Sequence, residues 1–325
     1  MHSRRSMLTA LAAASLPLGG CAPPTPLRLG THPWVGHEPL LLARDFHWLP
    51  PEVNVSMGSV APDSLDGLKQ GRLDGATLTL DETLAARSAG VPLTVVLVLD
   101  SSAGADMVLA RDGLPSLPSL RGQRLAVERS AVGELMLIKA LAAAGLAESD
   151  LRLVEMPVDQ QPLAWTEGRI DAAITYEPTA SRLVRLGAHR LFDSRAIPEM
   201  IFDVLAIRTD RLWGRRTTLE ATVAAHFKGL HHLRSNRPDA TYRIASRQSL
   251  RLDEVTQALA GVSLPDLQRN RSLLSPGSPL ASAAQVLAGL MAGRRPAASG
   301  AHAGLVDRLD DLFDPTYLPM NEVTA

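Results

Sequence analysis

The sequence predicts an α/β protein of two similar lobes, joined by a hinge and separated by a central cleft. The first support is a repeat: Gly71-Arg72-Leu73-Asp74-Gly75-Ala76 returns 97 residues later as Gly168-Arg169-Ile170-Asp171-Ala172-Ala173, and Arg28-Leu29-Gly30 returns 96 residues later as Arg124-Leu125-Ala126. A unit of this length is too long for a solenoid repeat and indicates two lobes on one plan. The second support is the alternation of short apolar runs with helical segments, which is typical of parallel sheets covered by helices.

Lobe one is predicted from residues 22–110 and 205–325. Residues 53–57 alternate as a half-buried strand does, whereas 76–80 and 93–99 are largely continuous apolar runs, as in strands buried on both faces. The predicted elements are strand 27–30, helix 38–46, strand 53–57, helix 64–70 (ended by Gly71) and strands 76–80, 93–99 and 107–110, the last leading out of the lobe.

Lobe two is predicted from residues 111–204, after a linker marked by Pro115 and Pro118. The run 202–207 then crosses back to lobe one, and two crossings between lobes indicate a hinge. The predicted strands are 124–127, 152–155, 172–175, 191–192 and 202–207. The predicted helices are 132–144 (ended by Gly145), 163–167, one through Arg185, 218–234, 238–245, 252–260, 281–292 and 305–313.

The N-terminal segment 1–21 is typical of a bacterial lipoprotein signal peptide. A pair of arginines precedes an apolar run at 7–18, which is shorter than the ~20 residues needed to span a bilayer. The run ends in Leu18-Gly19-Gly20-Cys21, which resembles a lipobox, so Cys21 is the predicted lipidation site. The segment 3–8 also resembles a twin-arginine signal, which leaves the export route open. We therefore expect a protein on the periplasmic or extracellular face, anchored to the membrane by lipid.

Composition argues against several functions. The formal net charge is −1 and aromatic residues make up 4% of the chain, so neither the basic field nor the stacking residues of a nucleic-acid-binding protein are present. Cys21 is the sole cysteine, so the mature domain has no internal disulfide and no thiol for catalysis. The spacing supports no Ser-His-Asp or paired-carboxylate arrangement, and no cofactor is expected.

Five segments resemble one family, the substrate-binding proteins of nitrate/sulfonate/taurine-type ABC importers, which include the thiamine-precursor binders. The resemblance covers nearly the whole mature chain and implies the two-lobe periplasmic-binding-protein fold. It also implies lobes that close on a small molecule and hand it to a membrane permease, and for most of the family it implies no catalysis. The matching segments are 34–39, 74–77, 100–106, 120–128 and 168–178.

Candidate ligand contacts are the residues that follow strands, because ligands of open α/β sheets bind beyond the carboxyl ends of the strands. In lobe one, Trp34 offers a face for stacking, with a core tryptophan as the alternative. Asp81 is either a ligand contact or a helix N-cap, and Asp100 with Ser101 either binds ligand or satisfies backbone groups of the hinge. The remaining candidates of this lobe are Gly36, Glu38 and Thr79.

In lobe two, Glu128 and Ser130 precede a helix whose free N–H groups and dipole favour an acceptor. Gly133 would let a ligand approach closely, and Tyr176 can stack or donate a hydrogen bond. Glu177 resembles a residue general to the family, so a structural role at the hinge competes with a ligand role. The last candidate, on the returning crossover, is Asp203.

The candidate positions are rich in acids, which bears on the charge of the ligand. A helix N-terminus contributes ~0.3–1 kcal/mol for an exposed anion, and one unpaired carboxylate in a partly dry cleft is enough to cancel that. The sequence therefore predicts a neutral or cationic ligand, such as an amine or aminated heterocycle stacked on Trp34 or Tyr176. The acidic candidates are Glu38, Asp81, Asp100, Glu128, Glu177 and Asp203.

Several histidines raise the question of a metal. His32, His37 and His47 are not compactly spaced, and His47 lies at the far end of its helix, so no metal site is predicted. His231 and His232 are adjacent and point in different directions from a helix, which indicates a solvated face.

The predicted function is that of a monomeric, extracytoplasmic solute-binding component of an ABC importer. Its expected partners are a small-molecule ligand, a permease and, through the lipid, the membrane. Two alternatives stay open. A sensory receptor for a signalling protein needs the same closure of the lobes. A thiamine-pyrimidine-synthase-like enzyme would share the fold, but the cysteine-rich segment that accompanies activity in that family has no counterpart here.

Overall fold

The computed structural model describes residues 26–292, 309 and 311–321. The predicted signal peptide, its lipidation site Cys21 and the start of the helix predicted at 305–313 lie outside these residues. Among the described residues, no helix combines the length and the apolar character needed to cross a bilayer.

The described residues form two mixed sheets with helices packed against them. The strands are β1 Leu27–Thr31, β2 Val53–Met57, β3 Gly75–Thr79, β4 Leu93–Ser102, β5 Asp106–Ala110, β6 Arg124–Val127, β7 Arg152–Glu155, β8 Ala172–Tyr176, β9 His189–Asp193, β10 Phe202–Arg208 and β11 Val262–Ser263. The helices are α1 Glu38–Asp45, α2 Ala61–Lys69, α3 Leu80–Ser88, α4 Ala131–Ala144, α5 Gln161–Thr166, α6 Thr179–Arg185, α7 Arg216–Ser235, α8 Arg237–Gln248, α9 Leu252–Ala260, α10 Leu267–Leu273 and α11 Pro279–Ala292.

The two sheets share one plan, which explains the sequence repeat. In the first sheet β1 pairs in parallel with β2 and β3, and in the second β6 pairs in parallel with β7 and β8. Beside β3 and β8 stand the antiparallel strands β10 and β5. The strand orders are therefore β11-β4-β10-β3-β1-β2 and β9-β5-β8-β6-β7. The predicted α/β fold is confirmed.

The crossing between the sheets comes one strand earlier than predicted. The strand at 107–110 was expected to lead out of lobe one, but β5 pairs with β8 and β9 in the second sheet. The first crossing thus lies between β4 and β5. The returning strand β10 belongs to the first sheet along its whole length, including residues 202–204, which the sequence assigned to lobe two.

Three elements were not predicted, namely α3, α10 and β11. The start of α3 carries a local signal, a capping box in which Thr79 Oγ1 accepts the Glu82 N–H (3.3 Å) while the Glu82 carboxylate accepts the Thr79 N–H (2.9 Å). This box ends β3 at Thr79. Strand β4 runs three residues beyond the predicted 99 because β10 and β11 pair with it there. Residues 311–313 are not helical, and Phe313 instead bridges to Val95.

The repeated motif builds the same ion pair in both lobes. The backbone N–H and the Nε of Arg28 both donate to Asp74 Oδ2 (2.9 and 3.0 Å). In the second lobe, the backbone N–H and Nε of Arg124 donate to Asp171 Oδ2 (3.0 and 2.8 Å). Each acid precedes β3 or β8 and thereby fixes the start of the adjacent strand, β1 or β6. In each lobe the motif therefore has a structural role, which is to join two neighbouring strands.

We expect Asp74→Asn to lower the free energy of unfolding by about 1.5–3 kcal/mol, because hydrogen bonds to charged groups are worth that much. The Asp74 side chain is only 3% exposed, so water cannot replace the lost partner. Urea denaturation followed by circular dichroism measures the loss. The control is Asp66→Asn on the surface of α2, where the side chain is 62% exposed and a change within ~0.5 kcal/mol is expected. Equal losses of stability in both variants would contradict a structural role for the pair of Arg28 and Asp74.

Candidate functional site

Polar side chains meet between the two sheets because of the strand register. In the first sheet, Asp203 of β10 lies opposite Thr79 of β3 on one side and opposite Asp100 of β4 on the other. In the second sheet, Asp106 of β5 lies opposite Tyr176 of β8. The ends of the parallel strands β3 and β8 thus carry polar residues at the gap between the lobes, where α/β proteins bind ligands.

A cavity of about 40 Å³ lies between these rows. This is well below the ~300–1,000 Å³ of typical small-molecule sites. Its walls come from both sheets and from the start of α4. The lining residues are His32, Trp34, Thr79, Glu82, Asp106, Glu128, Ser130, Val132, Tyr176 and Asp203.

Two aromatic side chains close the cavity from opposite lobes. The rings of Trp34 and Tyr176 meet edge to face, with centroids 5.9 Å apart and an interplanar angle of 81°. Trp34 Nε1 donates to Asp100 Oδ2 (2.9 Å), which fixes the orientation of the indole. Trp34 is 5% exposed and also packs in a small apolar cluster. It is therefore both a core residue and a wall of the cavity.

Burial raises the pKa of three cavity acids, Glu82, Asp106 and Glu128. Desolvation, reinforced by the neighbouring Asp81 carboxylate, raises the pKa of Glu82 to about 8. Desolvation also raises the pKa of Asp106 to about 7. For His32 burial acts in the opposite direction and lowers the pKa to about 3, so its ring is neutral at pH 7. A cation entering this cavity would therefore displace protons from carboxyl groups.

Asp81 connects the two lobes. Its Oδ2 accepts the backbone N–H of Val132 (3.1 Å) at the start of α4, although Asp81 itself belongs to α3. Asp81 is therefore not the N-cap of its own helix, which is Thr79, and its carboxylate instead accepts a hydrogen bond from the first turn of a helix in the other lobe. Ser130 caps the same helix by accepting the Gly133 N–H (3.1 Å). A Cβ at Gly133 would lie 2.1 Å from the Glu128 carbonyl oxygen, so this glycine is required by the backbone around it.

We expect Asp81→Ala to shift the protein toward an open form. Without the Asp81 carboxylate, the Val132 N–H has no partner in the closed form, whereas water can bind it in the open form. An unsatisfied buried donor costs about 1–3 kcal/mol, which corresponds to at least a fivefold fall in the closed-to-open ratio. Small-angle X-ray scattering should show a larger radius of gyration than for the unchanged protein. Asp66→Asn, far from the gap, is the control. Superimposable scattering curves for all three proteins would contradict the role of Asp81.

The structure places two predicted acids outside the cavity. Glu38 is fully buried, forms an ion pair with Arg247 and accepts a hydrogen bond from Gln248 Nε2 (2.7 Å). Desolvation raises its pKa to about 7. Glu177 accepts the N–H and the hydroxyl of Ser181 (3.1 and 3.0 Å) in the first turn of α6. Both acids hold helices in place.

Three further candidates lie beside the cavity without lining it. Asp100 is fully buried behind Trp34. Gly36 packs against the same carboxylate, since a Cβ there would lie 1.7 Å from Asp100 Oδ2. Ser101 pairs with Phe202 and Ser263 in the sheet.

The cavity contains residues that sequence reasoning missed, namely His32, Glu82, Asp106 and Val132. Glu82 could have been found from its capping box with Thr79. Asp106 was missed because its strand was assigned to the wrong sheet. A metal-capable group was missed as well: His37, Asp100 and Asp203 each bring one ligand atom within 4.8 Å of the others. These residues are far apart in sequence, and only the pairing of β4 with β10 brings the two acids together.

The sequence matches one protein-family model and several curated proteins. The model of the NMT1-like family matches residues 20–247. Over 83 residues the chain is 28% identical to the "Putative binding protein" of Brucella abortus (strain 2308), and the match spans about a quarter of each protein, 26%.

Two solved structures share the fold across nearly the whole chain. The periplasmic aliphatic sulphonate-binding protein SsuA of Escherichia coli has a TM-score of 0.74 at 18% identity and covers 93% of this chain and 96% of its own. The ligand-binding component of an ABC-type import system from Staphylococcus aureus, solved with zinc bound, has a TM-score of 0.73 at 18% identity and covers 90% and 97%. The predicted two-lobe fold of periplasmic binding proteins is thereby confirmed.

Proposed function

Because the chain belongs to the NMT1-like family, we propose that it is the extracytoplasmic solute-binding component of an ABC importer. It captures a small molecule between its lobes and delivers the molecule to a permease. The fold shared with proteins named for periplasmic binding and ABC-type import supports this proposal. The observation that carries it is the acid-lined cavity enclosed by Trp34 and Tyr176 from opposite lobes.

Closure is the proposed means of capture. The present cavity of about 40 Å³ is smaller than typical small-molecule sites, so a ligand would enter with the lobes apart and be enclosed when they close. Asp81 and Val132 then join the lobes on one side of the cavity, and Arg185 and Glu254 form an ion pair between α6 and α9. Hinged closure of this kind is the usual movement of two-lobe binding proteins.

We propose a neutral or cationic ligand. The cavity lining contains four carboxyl groups and no lysine or arginine. The nearby Arg129 is held by three carboxylates, those of Glu134, Glu148 and Glu155. A sulfonate would need a cation or several donors in this place. The charge of the cavity therefore favours an amine or an aminated heterocycle over the anion for which the E. coli neighbour is named.

The cellular setting is part of the proposal. A lipid on Cys21 would hold the protein at the periplasmic or extracellular face of the membrane, where a monomer would meet the permease. A sensory receptor would use the same closed form with a signalling protein as partner. We propose binding without catalysis, since the side chains around the cavity serve to enclose and neutralise a ligand.

Thermal-shift measurements with amines, aminated heterocycles and sulfonates test the proposal. A ligand at ~100 times its Kd stabilises the folded protein by ~2.7 kcal/mol. The double variant Trp34→Ala and Tyr176→Ala is expected to lose the shift, because both cavity walls are removed. A control variant, Trp213→Ala, removes an exposed indole (94% exposed) and should keep it. Stabilisation by sulfonates alone, or an equal shift in the double variant, would contradict the proposal.

A further inference from the structure

Two buried carboxyl groups face each other beneath the cavity. Asp100 of β4 and Asp203 of β10 are directly opposite in the antiparallel ladder, at 0% and 3% exposure. Like charges at directly opposite positions destabilise a sheet, and buried charges need a partner. Asp100 Oδ2 accepts from Trp34 Nε1, whereas Asp100 Oδ1 has no hydrogen-bond partner within the described structure. Either a shared proton or a bound cation can supply a positive charge between the two groups.

His37 presents a nitrogen to the same point. The residue is fully buried, and its Nδ1 lies 3.2 Å from the His32 carbonyl oxygen, which can only accept a hydrogen bond. The hydroxyl groups of Thr31 and Thr77 also lie 3.3 and 3.2 Å from Nδ1, so the carbonyl is the contact that favours a proton there. When the proton is on Nδ1, the lone pair of Nε2 is free to bind a cation. Nε2 lies 3.8 Å from Asp203 Oδ1 and has no hydrogen-bond partner in the described part of the chain. Histidine ligands of metals are oriented in this way, by donating the other ring N–H to a carbonyl.

We propose that His37, Asp100 and Asp203 bind a divalent transition-metal ion. Their three donor atoms lie within 4.8 Å of one another. Ligands at ~2.0–2.2 Å from a tetrahedral zinc are ~3.3–3.6 Å apart, so the three side chains would have to approach one another by roughly 1 Å. One imidazole nitrogen and two carboxylate oxygens suit Zn²⁺ or a similar ion, and two carboxylates balance its charge. The inference rests on these residues and is independent of the proposed function.

A metal ion at this site would also restrain side chains that line the cavity. Asp203 lines the cavity as well, and Trp34 hydrogen-bonds to Asp100. A bound ion would therefore fix one wall residue directly and the indole through its partner. It would act as a structural element behind the ligand cavity.

Isothermal titration of the full chain, purified in mild detergent and stripped with a chelator, tests the site with Zn²⁺ as the probe. We expect one ion per chain with micromolar or tighter affinity. The variants His37→Gln and Asp100→Asn are each expected to weaken binding by at least ~10–100-fold, the loss typical of removing a group that only supports a ligand, because each removes one of three ligands. Substitution with Co²⁺ gives a second readout, because a four- or five-coordinate protein site lacks the inversion centre of the octahedral hydrated ion and absorbs visible light more strongly.

His226→Gln is the matched control. His226 is also fully buried, and both its ring nitrogens lack a hydrogen-bond partner among the described residues, yet it stands outside the trio. We expect this variant to bind Zn²⁺ within twofold of the unchanged chain. Equal binding by all variants would place the ion elsewhere and overturn the proposal. So would a chain that binds no Zn²⁺ and gives only the spectrum of hydrated Co²⁺, since the two carboxyl groups would then share a proton instead.

Discussion

Asp106→Asn is expected to weaken the binding of a cationic ligand by about 100-fold or more. The Asp106 side chain lines the cavity, is 5% exposed and has an oxygen, Oδ2, without a hydrogen-bond partner in the described structure. Loss of one partner from a buried ion pair costs about 3–5 kcal/mol, and every 1.4 kcal/mol is a factor of about ten in Kd. Calorimetric titration with the ligand found by the thermal-shift screen measures the change.

The same variant is expected to change the pH dependence of binding. Burial raises the pKa of Asp106 to about 7, so the carboxyl group is protonated below this pH and charged above it. Affinity for a cation therefore rises with pH through about 7 in the unchanged protein, and this component is absent in Asp106→Asn. The other titratable groups of the cavity are His32, Glu82, Glu128, Tyr176 and Asp203.

An exposed acid provides the control for both effects. Asp112→Asn changes a side chain that is 99% exposed and should leave the Kd and its pH dependence unaltered. An Asp106→Asn protein with the affinity and the pH profile of the control would show that the cavity acids do not pair with the ligand.

Gly229→Ala is expected to lower the free energy of unfolding by about 3 kcal/mol, the upper end of the usual cost of overpacking, because the new atom meets rigid groups. Gly229 lies where α7 crosses α1, and a Cβ there would be 1.9 Å from the Pro39 carbonyl oxygen and 2.8 Å from its carbon. Backbone atoms cannot move aside as a flexible side chain does, so the two helices must separate. Thermal unfolding should show a midpoint lower by roughly 6–12 °C.

Gly289→Ala is the matched control for this prediction. Gly289 also lies within a helix, α11, but a Cβ there meets no atom within 4 Å. Alanine is favoured over glycine in a helix by about 0.5–1 kcal/mol, so this variant should be slightly more stable than the unchanged protein. A midpoint that rises in both variants would contradict the close packing of α7 on α1.

Much of the fold could be predicted from the sequence because local patterns and the repeat agree. The segment after Gly71 and its copy after Gly168 correctly indicated equivalent strands, since each carries the aspartate that binds an arginine of the neighbouring strand. Strand β5 was assigned to the wrong sheet because an apolar run carries no information about which sheet it joins. That choice depends on pairing with β8, 62 residues away at Ala110 and Ala172.

The candidate site could be predicted less well. Trp34, Tyr176 and Asp203 were named because they follow or begin strands at the gap, and they do meet there. Glu38 has the same acidic character, but its carboxylate is neutralised by Arg247, more than two hundred residues away. Such long-range partners distinguish an acid that holds a helix from an acid that lines a cavity. The sequence does not reveal them.

Native mass spectrometry of the protein, purified without unfolding, tests whether the cavity holds a small molecule and of what charge. We expect a complex with a neutral or cationic small molecule, identified by its released mass and fragmentation. The complex should disappear in the Trp34→Ala and Tyr176→Ala double variant and persist in Trp213→Ala. A bound sulfonate, nitrate or other anion that survives the double variant would contradict the proposed binding between Trp34 and Tyr176.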